Sequence, residues 1–191
     1  ANGTWGNINF PATPATMTVN NTGTITHTRA ATSTFGLGMT VHNAGTVNVD
    51  GGVLSFGGSG GTHTGSFNAA AGATLAFSGG VQEFEAPSGV SGGGRLLVSA
   101  GTVQFDTVAN LSGAIEVTGG TANIAPASGS IQPTSITVTS NGVLNLTPPD
   151  AQIGPLEVTV NGSSAVANLN GAHVRVGTLQ LLSGTLGGTS D

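Results

Sequence analysis

The sequence predicts an all-β chain wound into a three-sided parallel β-helix, a solenoid of about eight to nine rungs with roughly 22 residues in each. Three observations lead there. A short phrase, one or two small turn residues followed by Thr and then apolar-x-apolar, runs from one end of the chain to the other. It reads Gly3-Thr4-Trp5, Gly23-Thr24-Ile25, Gly45-Thr46-Val47, Gly72-Ala73-Thr74-Leu75, Gly101-Thr102-Val103, Gly120-Thr121-Ala122, Gly142-Val143-Leu144 and Gly184-Thr185-Leu186. With Gly162 filling the one gap, successive first glycines lie 20, 22, 27, 29, 19, 22, 20 and 22 residues apart. A period of that size marks an architecture in which no repeat buries its own apolar face and stacked neighbours build one continuous core. Within each repeat the apolar residues alternate with period two, which is strand. Nowhere is there helical periodicity, and Gly and β-branched residues stand where a helix needs Ala, Leu, Glu or Lys.

Each element follows from the same alternation. The strand after each turn glycine contributes an inward pair, and reading one offset along the chain predicts a single column. That column runs Trp5 with Asn7, Ile25 with His27, Val47 with Val49, Leu75 with Phe77, and Val103 with Phe105. It continues through Ala122 with Ile124, Leu144 with Leu146, Ala167 with Leu169, and Leu186 with Gly188. A second strand precedes each glycine, seen as Met17-x-Val19, Met39-x-Val41, Phe67-x-Ala69, Leu96-x-Val98, Ile115-x-Val117, Ile136-x-Val138, Leu156-x-Val158 and Leu179-x-Leu181. A weaker third follows many of the Thr strands, at Val53 to Phe56, Val81 to Phe84, Ile131, Ile153 and Val174 to Val176. Asn, Gly, Ser and Pro carry the turns between them. Trp5 and all seven Phe lie in the first 105 residues, as do the two longest intervals, so a wider, aromatic-filled cross-section is expected there and a slimmer aliphatic one after Leu111.

Residues 1–191 read as one elongated domain with no linker. The chain opens on a repeat phrase and stops at Gly-Thr-Leu-Gly-Gly-Thr-Ser-Asp without a polar or helical cap, so the expectation is a segment of a longer solenoid, or a subunit whose ends dock on neighbouring coils. Charged residues make up only 6% of the chain and the net charge is −5. The three basic residues, Arg29, Arg95 and Arg175, are far apart, which argues against nucleic acid and against anionic membrane surfaces. No run of about 18 apolar residues is present to insert in a bilayer. The opening residues lack the basic start and apolar stretch of a secretory signal. Cysteine is absent, which removes disulfides and thiolate metal sites from consideration and leaves the redox compartment open. Five Asn-x-Ser/Thr sequons, at Asn2, Asn20, Asn110, Asn145 and Asn161, are near the number chance produces in a chain this rich in Ser and Thr.

The phrases Asn43-Ala-Gly-Thr-Val-Asn-Val-Asp-Gly-Gly-Val-Leu, Ala70-Ala-Gly-Ala-Thr-Leu-Ala-Phe-Ser-Gly-Gly and Leu181-Leu-Ser-Gly-Thr-Leu resemble the degenerate Gly-Thr-Leu repeats of large extracellular β-solenoids. These include autotransporter passenger-like regions and filamentous-haemagglutinin-like adhesins of bacteria. The resemblance covers essentially the whole chain. It implies a right-handed coil, an extracellular, cell-surface location and a structural or adhesive role, and it carries over no functional residue because the shared motif is the core itself.

Several constellations invite a chemical reading. Glu83 and Glu85 flank Phe84, so their carboxylates share one side of a strand, roughly 6.5 to 7 Å apart, a separation that overlaps that of inverting glycosidases. A solvated strand edge accounts for them as well. Asp50 and Asp106 hold one offset two rungs apart with Ser78 between, which suggests a shared cation but supplies too few oxygens for Ca²⁺. His27, His42, His63 and His173 never form a metal-like pair, and His27 falls in the inward column as a hydrogen-bonded core imidazole. Ser91-Gly92-Gly93-Gly94 before Arg95 leads into a strand rather than a helix and reads as a rung corner. Thr-x-Thr pairs cluster in the first third without recurring at one offset, as a Thr-rich strand surface does and an ice-binding array does not. No catalytic, cofactor-binding or metal residue is assigned. The expected function is a non-enzymatic extracellular rod, a segment of a surface adhesin or filament, partnered by neighbouring solenoid segments or subunits through end-to-end stacking and by host or matrix glycans. The alternative is a carbohydrate-active or glycan-binding β-helix.

Overall fold

The computed structural model describes residues 16–106, 110–125, 130–147, 152–154, 157–170, 173–174 and 177–188. Among them every strand is parallel to its partners and no helix occurs, so none is long and apolar enough to cross a membrane. The chain winds through three sides in a constant order. The first coil is β1 (Met17–Asn21) on side one, β2 (Thr24–His27) on side two and β3 (Thr32–Phe35) on side three. The second is β4 (Met39–Asn43), β5 (Thr46–Val49) and β6 (Val53–Phe56). The third is β7 (Gly60–His63), β8 (Ser66–Ala69) and the first half of β9 (Thr74–Phe84), whose second half opens the next coil on side one.

β10 (Gly89–Gly92) and the first half of β11 (Arg95–Phe105) complete that coil, and the pattern continues with β12 (Asn110–Leu111) and β13 (Ala114–Val117). β14 (Thr121–Ile124), β15 (Ser130–Ile131) and β16 (Ser135–Thr139) follow, then β17 (Val143–Leu146), β18 (Gln152–Ile153) and the long β19 (Glu157–Leu169). β20 (His173–Val174) and β21 (Thr178–Gly187) finish the described chain. Side two consists of a five-stranded and a three-stranded sheet, while sides one and three join into one 13-stranded sheet because β9, β11, β19 and β21 run through the corner between them. Partners along all sides are 19 to 23 residues apart. The described residues give nine levels on side one and eight on each of the others, close to the expected rung number and length.

The single inward column is corrected. Its members lie on three sides: Ile25 and Val47 stack on side two beneath Phe67, Leu75 stacks on side three between Leu54 and Leu96, and Val103, Ala122, Leu144 and Ala167 follow one another on side one. Gly-Thr-apolar therefore marks the start of a strand, whichever side that strand occupies. The intervals of 27 and 29 residues are the places where the phrase moves by one coil plus one side, from side two to side three and then to side one. The second series moves in the same way: Met17 and Met39 are on side one, Phe67 on side two, and Leu96, Ile115 and Ile136 on side three. The coils at those long intervals are no longer than the others, so the wider cross-section inferred from them is also withdrawn. In the turn after Gly162, Ala167 and Leu169 do take the inward register, paired with Leu144 and Leu146. The inward pair preceding it is Val158 and Val160; Leu156, with Trp5, Asn7 and Phe10, lies outside the described residues.

The buried apolar side chains form one axial core. On side one its column changes chemistry along the axis: Asn21, Asn43, His63, Phe84, Phe105, Ile124, Leu146, Leu169. Phe35, Phe56, Phe67 and Phe77 converge on its aromatic part, with neighbouring ring centroids 4.5 to 6.2 Å apart, so the expected concentration of aromatics in the early coils is present. The corner from side three to side one uses left-handed backbone at Gly80 (φ 65), Gly101 (φ 77) and Gly120 (φ 70), where a Cβ on Gly101 or Gly120 would press into a carbonyl of the coil below. Ser140 takes the same conformation (φ 55) with a side chain present.

Candidate functional surfaces

A parallel ladder puts every second side chain outside, so a surface row is a list of residues one coil apart. On side one, Glu83 is followed one level on by Gln104, and Glu85, one residue past paired Phe84, is followed by Asp106, whose amide donates to the Phe84 carbonyl at 3.1 Å. All three carboxylates are exposed, and Asp106 accepts a hydrogen bond from the Gln104 side-chain amide at 2.7 Å. Asp50 is elsewhere. It follows β5 on side two, where its amide donates to the His27 carbonyl at 2.8 Å, and Ser78 lies in β9 where it leaves side three, bonded to Ser55. The Asp50–Asp106 column is therefore a second correction, with the same cause as the first. No group of three or more His, Cys, Asp or Glu placed to hold a metal ion occurs among the described residues.

The histidines separate by environment. His27 is buried, its Nδ1–H donating to the Gly51 carbonyl at 2.8 Å and its Nε2 meeting the Ser33 hydroxyl at 3.0 Å, as a core imidazole requires. His42 faces outward and accepts the Thr62 amide at Nδ1, 3.1 Å. His63 is fully buried against Phe56, Phe67 and Phe84, with Nε2 2.9 Å from Gln82 Oε1. The side chain of His173 lies outside the described residues.

At the corner from side two to side three, successive turns leave a trough of about 430 Å³ spanning four coils. Its lining is small, including Gly93, Gly94, Ser112 and Thr134, with one long side chain, Arg95. Arg95 lies over Thr74, to which Nε donates at 3.2 Å, and its Nη1 meets Glu116 Oε2 at 2.7 Å. The Arg95 side chain is 42% exposed and that of Glu116 30%, so the pair is a fixed donor and acceptor at the rim rather than a source of much stability. Gly94 and Gly113 are dictated by stacking, since a Cβ on either would meet the backbone of the preceding coil. Gly93 is different: its nearest neighbour to a new Cβ would be Ala71 Cβ at 3.7 Å, and nothing in the backbone demands glycine. The Ser91–Gly94 stretch is the rung corner expected of it.

Outward rows on side two mix Thr24, Thr46 and Ser66 with Thr26, Asn48 and Asn68, which is a polar strand surface rather than ranked threonines. The sequence reading missed the amide ladder on side one, where Asn145 donates to Asn123 at 2.7 Å and Asn168 donates to Asn145 at 2.8 Å. Its signal was present as Ala-Asn-Ile, Leu-Asn-Leu and Ala-Asn-Leu one coil apart. It engages the nitrogen of the Asn145 sequon to which a glycan would attach. On side three, Leu179 and Leu181 continue the column of buried Val158 and Val160 in register and are 49% and 52% exposed, with Leu182 at 62%. No protein-family model, no curated protein and no solved structure matches the chain.

Proposed function

We propose that this chain is a non-enzymatic structural rod, a segment of an extracellular surface adhesin or filament, which joins neighbouring solenoid segments or subunits by end-to-end stacking. The observation that carries it is the in-register stacking of parallel coils about one axial apolar core, in which each coil buries the apolar face of the one before it. A parallel coil offers the same hydrogen-bonding groups and the same apolar surface to whatever coil follows it. The extracellular and adhesive parts rest on the likeness of the repeat phrases to those of surface solenoids. Sedimentation velocity and negative-stain microscopy test the proposal: the protein sediments as an elongated particle and is seen as thin rods that join end to end. Compact particles, or rods that associate only side by side, contradict it.

A second reading, glycan binding, is favoured by the trough. Arg95 and Glu116 form a locked donor–acceptor pair beside the hydroxyls of Thr74, Ser112 and Thr134, a match for the diols of a neutral sugar chain lying along the axis. Affinity electrophoresis in soluble neutral polysaccharides checks it. Retardation that Arg95→Gln and Gly93→Leu abolish supports the reading, and no retardation in any polysaccharide removes it. The hydrolytic alternative on Glu83 and Glu85 has a separate check, since it requires polysaccharide turnover that Glu83→Gln with Glu85→Gln eliminates.

A further inference from the structure

The side-one column places a single ionisable group in the middle of its packed core. His63 stands between Asn43 below and Phe84 above, with ring centroids at 4.8 Å from Phe84, 5.0 Å from Phe67 and 6.2 Å from Phe56. Its proton position follows from a chain of roles. The Gly79 carbonyl can only accept, so the Gln82 nitrogen must face it, at 3.4 Å. That turns Gln82 Oε1 toward the imidazole, and Nε2–H of His63 donates to it at 2.9 Å. Nδ1 is left as a bare lone pair, buried and without a partner. Gln82 is itself 1% exposed, so the two side chains form a closed polar island among aromatic rings.

We infer that this island is an acid-sensitive break built into the solenoid: a proton arriving at Nδ1 of His63 finds no acceptor, and the coils around β7 to β9 open to hydrate it while the aliphatic coils from β13 to β17 hold. A cation in an apolar cage without a counter-charge costs far more than the neutral ring. Among the described residues no carboxylate faces it to offset that cost. β6 and β8 carry no titratable residue, Glu83 of β9 and Glu85 just after it are exposed, and the one ionisable neighbour on β4 is His42, whose charge would repel. Accordingly burial, aided by His42 and only partly offset by the Gln82 hydrogen bond, lowers the His63 pKa from 6.5 to about 4.

The sign is fixed by which state binds the proton. Between pH 6.5 and about 4 the unfolded chain takes up a proton at this residue and the folded chain does not, so acidification favours opening. The contribution is absent above that window and complete below it, a change on the order of 10²-fold in the folding equilibrium. Nearest-neighbour coupling along a solenoid lets such a loss stay local.

The test is the full chain followed by amide hydrogen exchange and by ¹⁵N imidazole shifts from pH 7 to 4. Expected are a His63 ring that stays in the neutral Nε2–H form to near pH 4, and amides of β7, β8 and β9 that lose protection before those of β13, β16 and β17. His63→Phe with Gln82→Met, which replaces the island by apolar groups, removes the early loss. A His63 ring that titrates near 6.5 overturns the inference, as does uniform loss of protection along the chain or an unchanged profile in the double variant. If the double variant does not fold, the wild-type ring shifts decide alone.

Discussion

Phe84 is the residue through which most of the aromatic core is joined. Its ring lies 4.5 Å from Phe105, 4.8 Å from His63, 5.1 Å from Phe67 and 5.6 Å from Phe77, and it is fully buried. Rings from all three sides meet there, so no single strand relaxes to fill the space it would leave. Phe84→Ala is expected to cost about 3–5 kcal/mol in urea unfolding. A cost under about 1 kcal/mol would mean the rings do not converge as described. Corner backbone makes the opposite kind of demand, for absence of a side chain. Gly101→Ala sets a Cβ against the Gly80 carbonyl at a left-handed φ, and a loss of about 2 kcal/mol or more is expected. Ser140→Gly, at φ 55, relieves the same conformation and should raise the thermal midpoint, with a gain of up to about 1 kcal/mol.

At the scale of the element, strand pairing and side-chain ladders say different things about the same coils. The Asn123, Asn145 and Asn168 amides connect three levels of side one, with the middle residue both donating and accepting. Asn145→Ala breaks two hydrogen bonds of a half-buried row and is expected to cost about 1–2 kcal/mol, more than Asn123→Ala or Asn168→Ala, each of which breaks one. Equal effects at the three positions would show that the row is not a ladder. Strands themselves were legible from the alternation of Val47 and Val49 or Leu144 and Leu146, because burial of one face writes period two directly into the residues. The side each strand occupies was not. Gly45-Thr-Val and Gly72-Ala-Thr-Leu look alike because turn chemistry and inward alternation are the same at all three corners, and the sequence carries no label for which corner is meant.

For the whole molecule, the solenoid explains why so few charges suffice. Like residues lie one level apart, roughly 4.8 Å, where equal charges would repel and Asn, Ser, Thr or apolar side chains do not. The same logic makes sites hard to read: a chemical constellation here is made by residues about 21 positions apart on one side, so Asp106 belongs with Glu85 rather than with Asp50, and Arg95 with Glu116. Both pairings follow once the register is known and neither follows from proximity in the chain. His63 shows the complementary limit, since its lack of a carboxylate partner is a property of three sides at once. Its burial was hidden by the irregular Gly60-Gly61-Thr62-His63 strand, which has no apolar alternation to announce it.

The coil register is tested most directly by engineered disulfides, which a chain without native cysteine makes unambiguous. Thr46 and Ser66 face each other on side two with their hydroxyl oxygens 3.3 Å apart, whereas Thr46 and Thr74, the equivalent threonines of successive phrases, stand on different sides. Under mild oxidation the Thr46→Cys, Ser66→Cys pair should crosslink nearly completely within the folded monomer, and the Thr46→Cys, Thr74→Cys pair should not. Efficient crosslinking of the second pair with none in the first would contradict the three-sided stacking on which the account rests.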